Sequence, residues 1–213
     1  MKTFRKLAVA AALATTLPAF ADVVFLTFEG IGNLNPVGNY YNGGGGPNYG
    51  VSFSDATLAL VDADAGGSGN FANEPSADTV MFFLDANNAI LTVAAGFDTG
   101  FSFYYSSSTA ATVTVWDDVG GTGNLLGSLD LSAQGFDNCG GDPTGDFCNW
   151  TAVGVAFAGT AKSINFGGTA NQTGFDNITF GADVPVIPEP STYALMALGL
   201  AGIGLATRRR RSA

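Results

Sequence analysis

No histidine occurs anywhere in the 213 residues, and that absence removes a large block of chemistry. A Ser-His-Asp or Cys-His nucleophile system cannot be assembled, nor can His-ligated zinc or imidazole acid-base catalysis. Basic residues are nearly as scarce. Of eight Lys and Arg, Lys2, Arg5 and Lys6 stand at the start and Arg208, Arg209, Arg210 and Arg211 at the end, which leaves Lys162 alone between them. Glu189 is the only acid outside residues 22–187, so that stretch sets 17 acids against one base, a net charge of −16. Nucleic acid is excluded as a partner, because phosphate binding rests on Lys and Arg. A Gly-x-x-x-x-Gly-Lys nucleotide loop is missing too, since the only internal lysine follows Phe157-Ala158-Gly159-Thr160-Ala161.

Acidity of this degree suits divalent cations, which take carboxylate and carbonyl oxygens. It does not imply disorder here, because 46% of the residues are hydrophobic and 17 are Phe, enough apolar surface for one packed domain. Only two cysteines are present, Cys139 and Cys148, in Asn-Cys-Gly-Gly-Asp-Pro-Thr-Gly-Asp-Phe-Cys. In an exported chain this pair reads as a disulfide closing a short Gly/Asp loop. The alternative, a two-cysteine metal site, has no histidine to complete it.

Both ends point to export. Lys2, Arg5 and Lys6 precede an apolar stretch, Leu7 to Leu17, and then Ala19-Phe20-Ala21, the n-region, h-region and small-x-small cleavage site of a secretory signal peptide. The mature chain is expected to begin near Asp22. At the other end Pro188-Glu189-Pro190 is followed by an uncharged run from Ser191 to Thr207 and then four arginines. Seventeen residues sit at the short limit for a transmembrane helix of roughly 17–25, and the arginines form a membrane stop that stays on the cytoplasmic side.

Between the ends, short apolar runs of period two alternate with Gly, Asn, Asp and Ser clusters. The pattern predicts strands at 23–29, 51–53, 57–62, 79–84, 90–94, 100–106, 111–116, 125–131, 151–157, 162–166 and 175–180, with no sustained helical period. Phe101, Phe103 and Tyr105 share one face, and Val113 and Val115 oppose Thr112, Thr114 and Trp116. The expected fold is all-β, a single antiparallel β-sandwich of jelly-roll type with 8 to 11 strands. The division expected is 1–21 signal peptide, 22–183 sandwich body and 184–213 tail.

The tail, from Val186-Ile187-Pro188-Glu189-Pro190 through the Gly-rich apolar run to the Arg cluster, resembles the PEP-CTERM sorting signal of Gram-negative bacteria that make extracellular polysaccharide. The same region is also labelled the C-terminal domain of ice-binding proteins, a label that names no activity. The resemblance implies that the secretion machinery exports the chain and holds it in the inner membrane. An exosortase, a membrane protease-transpeptidase, then cuts near Pro188-Glu189-Pro190 and passes the body to the envelope or the outside. A permanent anchor is the alternative. The segments "GNYYNGGGGPNYGVSF", "GSGNFANEPSADT", "VAAGFDTGFSFYY" and "GFDNITF" resemble one recurrent type of exported PEP-CTERM protein with a galactose-binding-like jelly-roll body.

Candidate chemistry is confined to carboxylates and aromatics. Asp62 and Asp64, ahead of glycines and Asn70, present alternating oxygens for calcium or form a solvated acidic turn. Many jelly-roll carbohydrate-binding modules hold a structural calcium between an early acid and a late Asp beside the first and last strands. The resemblance puts Glu29 and Asp176 in those places, while Asp176-Asn177 also fits a side-chain-to-backbone turn. Tyr40, Tyr41 and Trp116 are candidate sugar-stacking rings, with core packing as the alternative, and Trp150 is read as packing near Cys148. These residues frame three expectations. The first is a non-catalytic exported protein with a surface or adhesive role among extracellular polysaccharide. The second is a calcium-dependent carbohydrate-binding module. The third is a carboxylate-based polysaccharide hydrolase or lyase using such groups as Glu29 and Glu74.

Overall fold

A computed structural model describes residues 24–136 and 145–181. The segment expected to be a signal peptide, Cys139 and the tail with Pro188, Glu189, Pro190, the apolar run and Arg208 to Arg211 lie outside the described residues.

Among the described residues eleven strands form, one for each run predicted from the sequence: β1 (Val24–Leu26), β2 (Val51–Phe53), β3 (Thr57–Val61), β4 (Thr79–Phe83), β5 (Asn88–Phe97), β6 (Gly100–Ser107), β7 (Ala111–Trp116), β8 (Leu125–Leu131), β9 (Thr151–Ala156), β10 (Ala161–Gly167) and β11 (Thr173–Phe180). The main differences are a shorter β1 and a longer β5. The first strand stops at Leu26 because Phe28 turns the chain with φ +63°, a conformation rare for a bulky residue. Its N–H donates to Tyr41 Oη at 2.6 Å. The fifth strand continues through Ala94, Ala95 and Gly96 to Phe97, which pairs with Ala161 across a register shift.

Pairing is antiparallel between all named strands. One sheet runs β3-β4-β11-β6-β9 with β1 added against β11, and the other runs β2-β5-β10-β7-β8. Every pair of consecutive strands crosses between the sheets except β3–β4 and β7–β8, the interleaved wiring expected of a jelly roll. The period-two faces land as the sequence requires. Phe101 and Phe103 are fully buried, as are Val113 and Val115, while Thr112 is exposed. The core between the sheets is aromatic: Phe166 of one sheet meets Phe103 and Phe175 of the other at 5.5 and 5.0 Å between centroids. Edge-on ring contacts of this kind contribute roughly 0.5–1.5 kcal/mol each beyond area burial.

β4 is buried on both faces. Met81 and Phe83 join the main core, while Val80 and Phe82 line a second, smaller core on the outer face with Leu60, Phe71, Phe147 and Trp150. This second core is roofed by two segments tied together by Ala72 N–H donating to Phe147 O (3.0 Å) and Trp150 Nε1 donating to Ala72 O (3.1 Å). Gly174 on β11 makes room for the Trp150 ring, since a Cβ there would lie 3.1 Å from Cη2.

Candidate functional site

The first and last strands lie side by side, with Leu26 opposite Ile178, and Glu29 and Asp176 sit at this junction. Asp176 is fully buried. Its Oδ2 accepts from Ser76 N–H (2.8 Å), Ser76 Oγ donates to the same carboxylate at 2.8 Å, and Oδ1 accepts from Asn177 N–H at 2.6 Å. Asn177 has φ +48° at the bulge between Asp176 and Thr179, so the expected local Asx contact exists, inside the strand rather than at its start. Glu29 Oε1 accepts from the N–H groups of Asp78 (3.0 Å) and Thr79 (2.9 Å), and Oε2 from Thr79 Oγ1 (3.0 Å). Two carboxylates from the ends of the domain therefore clamp one segment, residues 76–79.

Burial pushes the Asp176 carboxyl up to about 7 against the hydrogen bonds that favour its charged form. Glu74, on the same loop, is likewise raised to about 7 by burial and by the charges of Asp62, Asp78 and Glu29. The acids concentrate here, and the charge of Glu29 acts against ionisation of both Glu74 and Asp176. Calcium would need open carboxylate oxygens. Those of Glu29 and Asp176 already accept main-chain and hydroxyl donors, and among the described residues no group of three Cys, Asp or Glu could hold a metal ion. The arrangement as it stands fits a clamped loop rather than an open ligand shell.

The Asp62 loop does not converge either. Asp62 is buried and accepts from Ala63 N–H at 2.7 Å, Asp64 is exposed, and Asn70 donates to Asp146 at 3.1 Å.

Of the candidate rings, Tyr41 is buried, its phenol spent on Phe28 and its ionisation pushed upward by that burial. Tyr40 donates to Glu29 O at 3.1 Å, and a side chain at Gly46 would run into its ring. Trp150 belongs to the second core. Trp116 is different: it is only partly buried, on the outer face of the second sheet, with Nε1 donating to Thr114 Oγ1 at 2.9 Å. Across that face the register sets Trp116 opposite Leu125, Thr114 opposite Ser128, and Thr112 opposite Asp130. Thr112 Oγ1 donates to Asp130 at 3.1 Å. Thr112, Leu125, Ser128 and Asp130 are exposed. Beside them the 117–124 turn folds over the sheet, held by Gly121 N–H donating to Ser163 Oγ (2.9 Å), by Ser163 Oγ donating to Asp118 O, and by Asp117 accepting twice from Asn124 at 2.7 Å. Those Asn124 bonds hold the exposed Asp117 carboxyl below its ordinary value.

Sequence reasoning missed Ser76, because nothing local marks a serine that will meet a carboxylate 100 residues away. It also missed Ser128 and Asp130 as neighbours of the Thr-Trp face, for which the register of β7 with β8 is needed.

Solved structures similar to this chain include the K1 cleaved adhesin domain of Lys-gingipain from Porphyromonas gingivalis W83, at 12% identity over 76% of this chain and 98% of that one, with a TM-score of 0.45. CsCBM6-3 from Clostridium stercorarium, solved with cellobiose, is 17% identical over 61% and 85%, with a TM-score of 0.38. A family 6 carbohydrate-binding module is 19% identical over 61% and 85%, with a TM-score of 0.37. Likeness at this level says nothing of ligand or role. No curated protein matches the sequence. Residues 186–211 match the model of the PEP-CTERM protein-sorting motif, from the residues before Pro188-Glu189-Pro190 to Arg211, and the chain is therefore an exported protein carrying a PEP-CTERM tag and processed at the membrane.

Proposed function

We propose that an exosortase sorts this chain through its PEP-CTERM motif and that the β-sandwich serves, without catalysing a reaction, as a surface or adhesive component among extracellular polysaccharide. The observation that carries this reading is the motif at residues 186–211. The lack of histidine, which removes imidazole acid-base and nucleophile-activating chemistry, supports it. The test is intact mass and location in the native host, for the wild type and a variant with Glu189 and its flanking prolines replaced. A wild-type body ending near Pro188 outside the inner membrane, with the variant retained there, is the expected result. A wild-type mass that includes Arg208 to Arg211, in the inner membrane, would make this a permanently anchored ectodomain.

A calcium-dependent version of the same role is the second reading, favoured by the concentration of Glu29, Glu74, Asp78 and Asp176 around one loop. It requires an ion to replace Ser76, Asp78 and Thr79 as partners of the clamping carboxylates. Its signature is a rise in Tm with CaCl2 that equal MgCl2 does not give and that Asp176→Asn abolishes.

A further inference from the structure

We infer that the outer face of the β7–β8 ribbon is a binding ledge for a neutral polysaccharide, with Trp116 as its stacking ring. This rests on the polysaccharide association proposed above and adds the site and the ligand class.

The ledge combines two kinds of surface within two strands. At one end Trp116 and the exposed Leu125 face each other across the ladder; Leu126, beside the register shift, packs on the core. Below them Thr114 pairs with Ser128 and Thr112 with Asp130, one row every two residues, roughly 7 Å apart along the strands and about 4.8 Å across. A pyranose has the same division, an apolar C–H face and a rim of hydroxyls, so the ring can cover the first while the hydroxyl rows meet the second. The indole is positioned for this by its own bond to Thr114.

Charge sets the ligand class. In a body of net charge −16, these two strands carry a single charged side chain, Asp130, and no base. The adjoining turn adds Asp117 and Asp118, against which Lys162 is the one base close enough to act on Asp117, so a uronate-rich or sulfated chain meets net repulsion here, whereas a neutral chain meets hydroxyls. The 117–124 turn walls the ledge on the β10 side, where Asn165 Oδ1 is a buried acceptor with no hydrogen-bond partner. The other exposed rings are less suited. Phe136 is 62% exposed and its one ring contact among the described residues is with Phe147, tilted at 5.8 Å, and Tyr49 lies over the buried Tyr41.

The test is affinity electrophoresis of the mature protein in gels containing the host's own extracellular polysaccharide, split by anion exchange into neutral and acidic fractions. The neutral fraction is expected to retard the wild type. Trp116→Ala should weaken that retardation about tenfold or more, Ser128→Glu should weaken it without touching any ring, and Phe136→Ala should leave it unchanged. Circular dichroism of each variant separates loss of binding from loss of fold. Retardation that survives both Trp116→Ala and Ser128→Glu overturns the ledge while leaving polysaccharide association standing. Retardation only by the acidic fraction overturns the ligand class. No retardation by either fraction overturns the association itself. A wild-type dimer that Ser128→Glu dissociates, without retardation, would seat a second copy on this face instead.

Discussion

Asp176 is a carboxylate without solvent, held by Ser76 and Asn177 and raised by burial to about 7. An acid whose folded value exceeds its unfolded one, about 4, contributes its full stability below the unfolded value. It loses that contribution as pH rises through the folded one. Stability should therefore fall between about pH 4 and pH 7 and level off above it, by up to about 4 kcal/mol if the whole shift is expressed, with Glu74 acting in the same direction. Thermal melts across this range check it, and Asp176→Asn should flatten the slope. Equal slopes in wild type and variant would assign the dependence to other carboxylates. Asp176→Ala is harsher, because it strands the N–H groups of Ser76 and Asn177 inside the protein, at about 2–4 kcal/mol.

β4 and the roof over its outer face depend on a glycine. A Cβ at Gly174 would lie 3.1 Å from the Trp150 ring and 3.6 Å from Val80, so Gly174→Ala should displace the indole. We expect a loss of about 1–3 kcal/mol and a red shift of Trp150 emission, read against a Trp116→Phe background. The roof has a second fastening. Cys148 is buried and is not a free thiol; with Cys139 as its partner, as the sequence suggests, reduction should cost about 2.5–3 kcal/mol, or about 5–12 °C in Tm. An unchanged Tm in reductant would remove that pairing from the stability of the roof. At this scale the sequence was informative where order is local. Strand positions and the inward faces of β6 and β7 follow from period two, because alternation is fixed by the backbone alone. The roof did not follow, since Phe71, Phe147 and Trp150 meet β4 only through loops whose path no local pattern sets. The clamp was half legible. Juxtaposition of Glu29 and Asp176 came from the resemblance to jelly-roll modules, which put them there as calcium ligands, but their actual partners come from a loop between β3 and β4.

For the whole molecule the dominating quantity is charge. Seventeen acids and one base between residues 22 and 187 repel one another in any compact state, and the fold gathers Glu29, Asp62, Glu74, Asp78 and Asp176 close enough for their charges to be felt. Burial of aromatic surface must outweigh this repulsion, and it does so more easily when the charges are screened. The Debye length falls from about 30 Å at 0.01 M salt to about 8 Å at 0.15 M, so the mature body should melt at a higher temperature in 0.15 M NaCl than in 0.01 M. The gain should be larger at pH 8 than at pH 5, where Asp176 and Glu74 are protonated. The comparison separates two contributions. A salt effect that persists undiminished at pH 5 would assign the repulsion to the exposed acids spread over the surface. One that nearly vanishes there would locate it in the cluster of carboxylates at the β1–β11 junction.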